Sequence, residues 1–264
     1  MARECWVDLS HGRTRYFESG DGPPVLLLHG AGITEGGDSW AWNWDAIGKV
    51  GRVIAPDFLG WGPGDRFDRE YSFAYLTDFV RELQDALGIS KSHVIGHSMG
   101  GWVAALFAYE SPNRVEKLVL VANGGMAART LPGLAHFRPP SLDDLETLWA
   151  RRLPQGRGDP RRLAIRDLAK VTPQAVAAYE KILRHMNDPA HRERYLLFRR
   201  LPHIQAPTLI LWGRQDSVNA LELGEEEARL LPHARLVVLE GGHGLPIEQP
   251  ETFNRLVCDF LTAE

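Results

Sequence analysis

Gly96-His97-Ser98-Met99-Gly100 sets a serine between two glycines, with an apolar strand pattern before it and an apolar helix pattern after it. This is the G-x-S-x-G pattern of a nucleophile elbow. A serine displayed on a sharp strand-to-helix turn needs glycine two positions to either side, where side chains would collide. Its hydroxyl is a weak nucleophile at neutral pH and needs a base, which in turn needs an orienting acid. The elbow predicts those partners later in the chain, acid before histidine, each just after a core strand. Asp216, in Trp212-Gly213-Arg214-Gln215-Asp216, and His243, in Glu240-Gly241-Gly242-His243-Gly244, meet that requirement. Glu240 is the fallback acid, but it precedes the histidine too closely to fit the pattern.

Each residue also has a plain structural reading. Ser98 could cap a helix after a glycine turn, Asp216 could cap the helix beginning near Ala220, and His243 could be a surface histidine. The ordered set of three makes them catalytic candidates. The chemistry would be acyl transfer to water, and its tetrahedral intermediate needs two backbone N–H donors. Met99, which opens the helix after the nucleophile, is the first expected donor. Ala31, in His29-Gly30-Ala31-Gly32 after the first buried strand, is the second. His29 is expected to anchor this loop and not to act as a second base. Trp40, Trp42 and Trp44 are expected to pack core and loop, with one near the site.

The elements that must position these residues alternate. Apolar runs at Val25–Leu28, Arg52–Ala55, Ser92–Gly96 and Lys117–Ala122 read as strands. Helical spacing follows at Phe73–Leu87, closed by Gly88, and at Met99–Tyr109. Cys5–Leu9 and Thr14–Ser19 read as an edge hairpin turned by His11-Gly12. After Asn123 the rhythm breaks, with helical stretches at Leu142–Leu153, Arg161–Lys170 and Pro173–His185. It resumes with strands Thr208–Trp212 and Arg235–Leu239 and helices Ala220–Leu231 and Glu251–Leu261. The expectation is an α/β core, residues 1–123 and 204–264, interrupted by a helical lid at 124–203.

Composition narrows the function. A net charge of −4 over 264 residues carries no signature of nucleic-acid binding. Residues 151–200 are the exception, with eleven Arg and two Lys against five acids, a local net of +8. A solvated arginine-rich face is the plain reading; attraction of anionic substrates is the sharper one. Cys5 and Cys258 form no metal or disulfide pattern, the N-terminal residues carry charges, and no apolar run is long enough for a membrane helix. A cytoplasmic enzyme is expected, with a small-molecule substrate, no nucleic-acid or membrane partner, and no cofactor or metal. Gly60-x-Gly62 lacks the rest of a dinucleotide fingerprint, and His185 and His191 alone are too sparse for a metal site.

HGAG (29–32), DFLGWG (57–62), GHSMGG (96–101), GRQD (213–216) and the GGH ending at His243 together resemble the α/β-hydrolase superfamily along nearly the whole chain. The resemblance implies a mostly parallel eight-stranded sheet flanked by helices. Ser-Met-Gly-Gly after the elbow, Gly60-Trp61-Gly62, the Trp-rich loop and Phe253-Asn254-Arg255-Leu256-Val257 look most like the meta-cleavage-product hydrolases. Those enzymes cut a carbon–carbon bond in dienoate ring-fission products. That group has Asn where His97 stands, Trp where Gly244 stands, and a lid arginine that aligns near Ala178. These departures put hydrolysis of small or medium esters or lactones first, with carbon–carbon cleavage as the alternative. A ligand-binding protein on the same scaffold is a further alternative.

Overall fold

Residues Val25–Leu28 are buried at every position, which a strand achieves only when helices cover both faces of its sheet. In the computed structural model, which describes residues 2–10, 12–66, 71–127 and 136–263, eight strands form one sheet. They are β1 (Arg3–Leu9), β2 (Gly12–Ser19), β3 (Pro24–Leu28), β4 (Arg52–Pro56), β5 (Ser92–His97), β6 (Val115–Val121), β7 (Thr208–Gly213) and β8 (Ala234–Leu239). Their order is β1-β2-β4-β3-β5-β6-β7-β8. Strand β2 runs antiparallel to both β1 and β4, and every pairing from β4 to β8 is parallel. The hairpin is therefore present at the sheet edge; His11, half of its expected turn, lies outside the described residues.

Period-two alternation divides the core between the two faces of the sheet. Leu26, Leu28, Val94, Leu118, Leu120 and Ile210 join one cluster with α2 (Phe73–Ala86) and α3 (Met99–Glu110). Val25, Leu27, Ile95, Val119, Leu209 and Leu211 join the other, with α1 (Trp44–Ile47) and α10 (Pro250–Thr262). Helix α3 is buried from Met99 to Ala108, so it is apolar all round and not amphipathic. The central strands end together, and the segments after β3, β5, β7 and β8 carry the residues of the site, as parallel sheets dictate.

Among the described residues no strand occurs between β6 and β7. Helices α4 (Leu142–Arg152), α5 (Pro160–Leu168), α6 (Pro173–Asn187) and α7 (Pro189–Tyr195) fill that interval. The sequence pattern missed α7, a two-turn helix that Pro189 opens and Asp188 caps through the amides of Ala190 and His191. Helices α4 and α5 pack Leu145, Trp149 and Ala164 on Ile247 of α9 (Leu245–Glu248). The remaining helix of the core is α8 (Leu221–Leu230).

The basic stretch now has a physical use. Arg152 pairs with Glu35, Lys170 with Asp38, and Arg157 with Glu251, so inserted helices and core are joined by ion pairs. Arg192 and Arg200 are buried and donate to backbone carbonyls. Cys5 and Cys258 are both free. Among the described residues no helix is long and apolar enough to cross a membrane.

Candidate active site

Ser98 sits between β5 and α3 at φ 55°, ψ −116°, a backbone conformation that side-chain-bearing residues rarely adopt. Neighbouring strands hold it there. Its N–H donates to the Val121 carbonyl at 2.9 Å, and its carbonyl accepts from Trp102 and Gly124, both at 3.1 Å. The glycines make the turn sterically feasible. A Cβ on Gly96 would stand 2.3 Å from the Gly100 carbonyl oxygen, and one on Gly100 would stand 2.2 Å from that of Leu28.

The structure brings Ser98, His243 and Asp216 into one line. His243 Nε2 is 2.9 Å from Ser98 Oγ, and its Nδ1 is 2.8 Å from Asp216 Oδ2. Asp216 Oδ1 accepts the N–H groups of Val218 and Asn219 at 2.7 and 3.0 Å. One oxygen thus closes the turn after β7 while the other faces the imidazole, and Asp216 does not cap the helix that follows. Ala220 caps α8 without a side-chain bond. Glu240 turns away and pairs with Arg214 and Gln215.

Of the two expected oxyanion donors, Met99 directly follows Ser98, and Ala31 follows a glycine that packs on it. Met99 is the first residue of α3, where the amide has no helical acceptor. A Cβ on Gly30 would come within 3.4 Å of Ser98 Cβ, so the loop after β3 packs on Ser98. His29 Nε2 accepts the Phe58 N–H at 2.9 Å, and its Nδ1–H donates to the Gly30 carbonyl at 2.7 Å. Burial holds this imidazole below its ordinary pKa, in the neutral form that this pairing needs. Trp61 Nε1–H donates to the Gly32 carbonyl at 2.8 Å. Because a trans peptide sets C=O and N–H on opposite sides, fixing the Gly30 carbonyl toward His29 turns the Ala31 N–H the other way.

Four further residues stand around the loop that carries His243, and no sequence pattern had singled out three of them. His97 Nε2–H donates to the His243 carbonyl at 2.8 Å. Burial and the neighbouring His243 press the His97 pKa down to about 4. Glu35 is half-buried; desolvation opposes its charge, yet Arg152, His97 and Ser39 hold its pKa down to about 2. Arg152 reaches Glu35 from α4 at 3.4 Å. Glu248 accepts the N–H groups of Gly242 and Gly244. A small chamber beside His97 is lined by His29, Glu35, Trp40, Arg152 and Gly244. At His243, a cleft of about 370 Å³ is bordered by Arg151, Arg152, Ser217, Val218 and Glu248.

Residues 25–256 match the family described as "Alpha/beta hydrolase family". The chain belongs to this family. It is similar to the 2-hydroxy-6-oxo-6-phenylhexa-2,4-dienoate hydrolase of Comamonas testosteroni, with 31% identity covering 96% of this chain and 93% of that protein. It is 33% identical to a 2-hydroxymuconate semialdehyde hydrolase of Pseudomonas putida, covering 94% and 90% of the two chains. Among solved structures, the meta-cleavage product hydrolase of Pseudomonas fluorescens IP01 superposes with a TM-score of 0.86 at 28% identity, covering 97% of this chain and 96% of that one.

This α/β hydrolase differs from the meta-cleavage pattern where the imidazole is approached from the side. Ala178 is buried in α6, and the arginines beside His243 are Arg151 and Arg152 of α4. A Cβ on Gly244 would stand 3.6 Å from Arg152 Nε and 3.0 Å from Glu248 Oε1. Arg152 therefore packs over the backbone at the position where the resemblance puts a tryptophan. Of the three tryptophans, Trp40 lines the chamber, Trp42 joins the cluster under α4 and α5, and Trp44 packs on Phe17.

Proposed function

We propose that this hydrolase cleaves a carbon–carbon bond beside a ketone in a dienoate ring-fission product. The carrying observation is the contact of Ser98 with His243, in a chain that aligns nearly end to end with hydrolases of such compounds. That alignment moves carbon–carbon cleavage ahead of the ester or lactone reading expected from the sequence. Ser98 Oγ attacks the ketone carbon while His243 Nε2 takes its proton, and Asp216 holds the Nδ1–H and the developing imidazolium. The Ala31 and Met99 amides bind the oxyanion. The bond to the conjugated chain then breaks, and its electron pair leaves with that chain, which takes the proton back from His243. Water, deprotonated by His243, releases the acyl group from Ser98. The inserted helices act as a lid that shapes the pocket. The sequence motifs and the hydrogen-bond geometry support the role of each of these residues.

The ester or lactone reading stands second, favoured by His97 and Gly244. The discriminating measurement compares loss of visible absorbance from a dienoate ring-fission product with hydrolysis of an aryl ester, each with wild type and Ser98→Ala. Faster, Ser98-dependent decay of the dienoate is expected. An ester cleaved much faster than any dienoate would reverse the order of the two readings. Fluorophosphonate that leaves Ser98 unlabelled would point instead to a binding protein.

A further inference from the structure

His243 lies in Gly241-Gly242-His243-Gly244, a loop with three glycines and hence much backbone freedom to lose on folding. An imidazole mounted on such a loop would wander unless the backbone around it were held. Two side chains outside the triad hold it. Glu248 Oε1 accepts the Gly244 N–H at 2.9 Å, and Oε2 accepts the Gly242 N–H at 2.5 Å. These are the amides on either side of His243. From the opposite direction, His97 Nε2–H donates to the carbonyl of His243 itself at 2.8 Å. The low pKa of His97 keeps that ring neutral, so it meets the carbonyl as a settled N–H tautomer.

We infer that Glu248 and His97 are positioning residues that clamp the peptide of His243 and so set the distance from its imidazole to Ser98. The inference rests on the proposed role of His243 as general base. Both oxygens of Glu248 act as acceptors, which a carboxylate can do and a carboxamide, with one acceptor and one donor group, cannot. The clamp is mounted on a rigid element. Leu245 and Ile247 of α9 are buried, and the Pro246 carbonyl accepts from the buried Asn43 Nδ2 at 3.0 Å. Space around the carboxylate is close-fitting: a Cβ on Gly242 would stand 3.3 Å from Oε1 and one on Gly241 3.1 Å from Oε2. The glycines are thus what let the carboxylate reach the backbone. Releasing one amide would let the imidazole drift, and a misplacement of about 1 Å costs on the order of a hundredfold in rate.

The experiment compares Glu248→Gln, Glu248→Asp and His97→Ala with wild type, measuring kcat, KM, the rate of Ser98 labelling by a fluorophosphonate, and Tm. Glu248→Gln is expected to lower kcat and labelling together by about 10–100-fold while KM stays within about twofold. Glu248→Asp retains the charge and is expected to recover part of the loss. His97→Ala removes the donor to the His243 carbonyl and should show the same kcat-against-KM split, which carries the test if Glu248→Gln does not fold. A lowered Tm with wild-type kcat and labelling in the folded protein would overturn the clamp and leave a structural role only. His243→Ala serves as the control. Loss of turnover in that variant with no effect at Glu248 or His97 would overturn the clamp alone, whereas retained turnover would overturn the general-base reading and the clamp with it.

Discussion

His243 Nε2 stands 2.9 Å from Ser98 Oγ although 145 residues separate them. The two meet because β5 and β8 belong to one parallel sheet whose following loops emerge on the same side. Asp216, from the loop after β7, joins them at 2.8 Å.

Asp216→Asn separates the two tasks of that side chain. The amide oxygen can still accept from Val218 and Asn219, so the turn survives, but an NH₂ group replaces the acceptor facing His243 Nδ1. Expected is a loss of kcat on the order of 10³–10⁴ with Tm close to wild type. Steady-state kinetics and a thermal melt measure both. A kcat within tenfold of wild type would remove Asp216 from the catalytic set.

Gly100→Ala places a methyl group against the carbonyls of Leu28 and His29, which belong to the strand end and loop beside Ser98. Backbone cannot rotate aside as a side chain can. The substitution should cost about 1–3 kcal/mol or more and distort the loop carrying Ala31. Denaturant unfolding would read the loss of stability, and activity should fall further than stability alone accounts for.

Glu35→Gln tests the pair that joins α4 to the core. The carboxylate pKa is held down to about 2, below its usual 4.5. A depressed acid stabilises the fold above its unfolded pKa and loses that contribution as pH falls toward the folded value. Wild type should therefore exceed the variant by about 1–3 kcal/mol at pH 7, with the gap narrowing as pH falls from about 4.5 toward about 2. A gap that is constant with pH would remove Glu35 ionisation as its cause.

Glu227 carries the opposite sign. It is fully buried on α8, accepts from Asn123 Nδ2 at 2.9 Å, and burial raises its pKa to about 8. The folded protein then keeps a proton that the unfolded chain releases above about 4.5, so this group lowers stability as pH rises from there to about 8. Glu227→Gln retains the bond from Asn123 and removes the titration. The variant should gain on wild type across that interval, by up to a few kcal/mol near pH 8. Urea unfolding at a series of pH values gives the slopes; parallel slopes would contradict the assignment.

Much of this protein was legible in residue order alone. Continuous apolar runs, two glycines around Ser98, and the succession Ser98, Asp216, His243 are local patterns that follow from backbone sterics and strand ends. They determined the fold class, the three side chains that meet, and the loop that carries Ala31. Helix α7 escaped because it is two turns long, too short for periodicity to speak. Glu35, Arg152 and Glu248 escaped for a different reason. Charged residues are common on any surface, and nothing in their spacing tells which will turn inward. Only the packing of α4 across the loop after β8 set Arg152 over Gly244 and against Glu35, and only the turn into α9 aimed Glu248 at two backbone amides. The sequence determined which three side chains meet; the tertiary structure decided which charges surround and hold them, because burial and distance belong to the folded chain and not to its order.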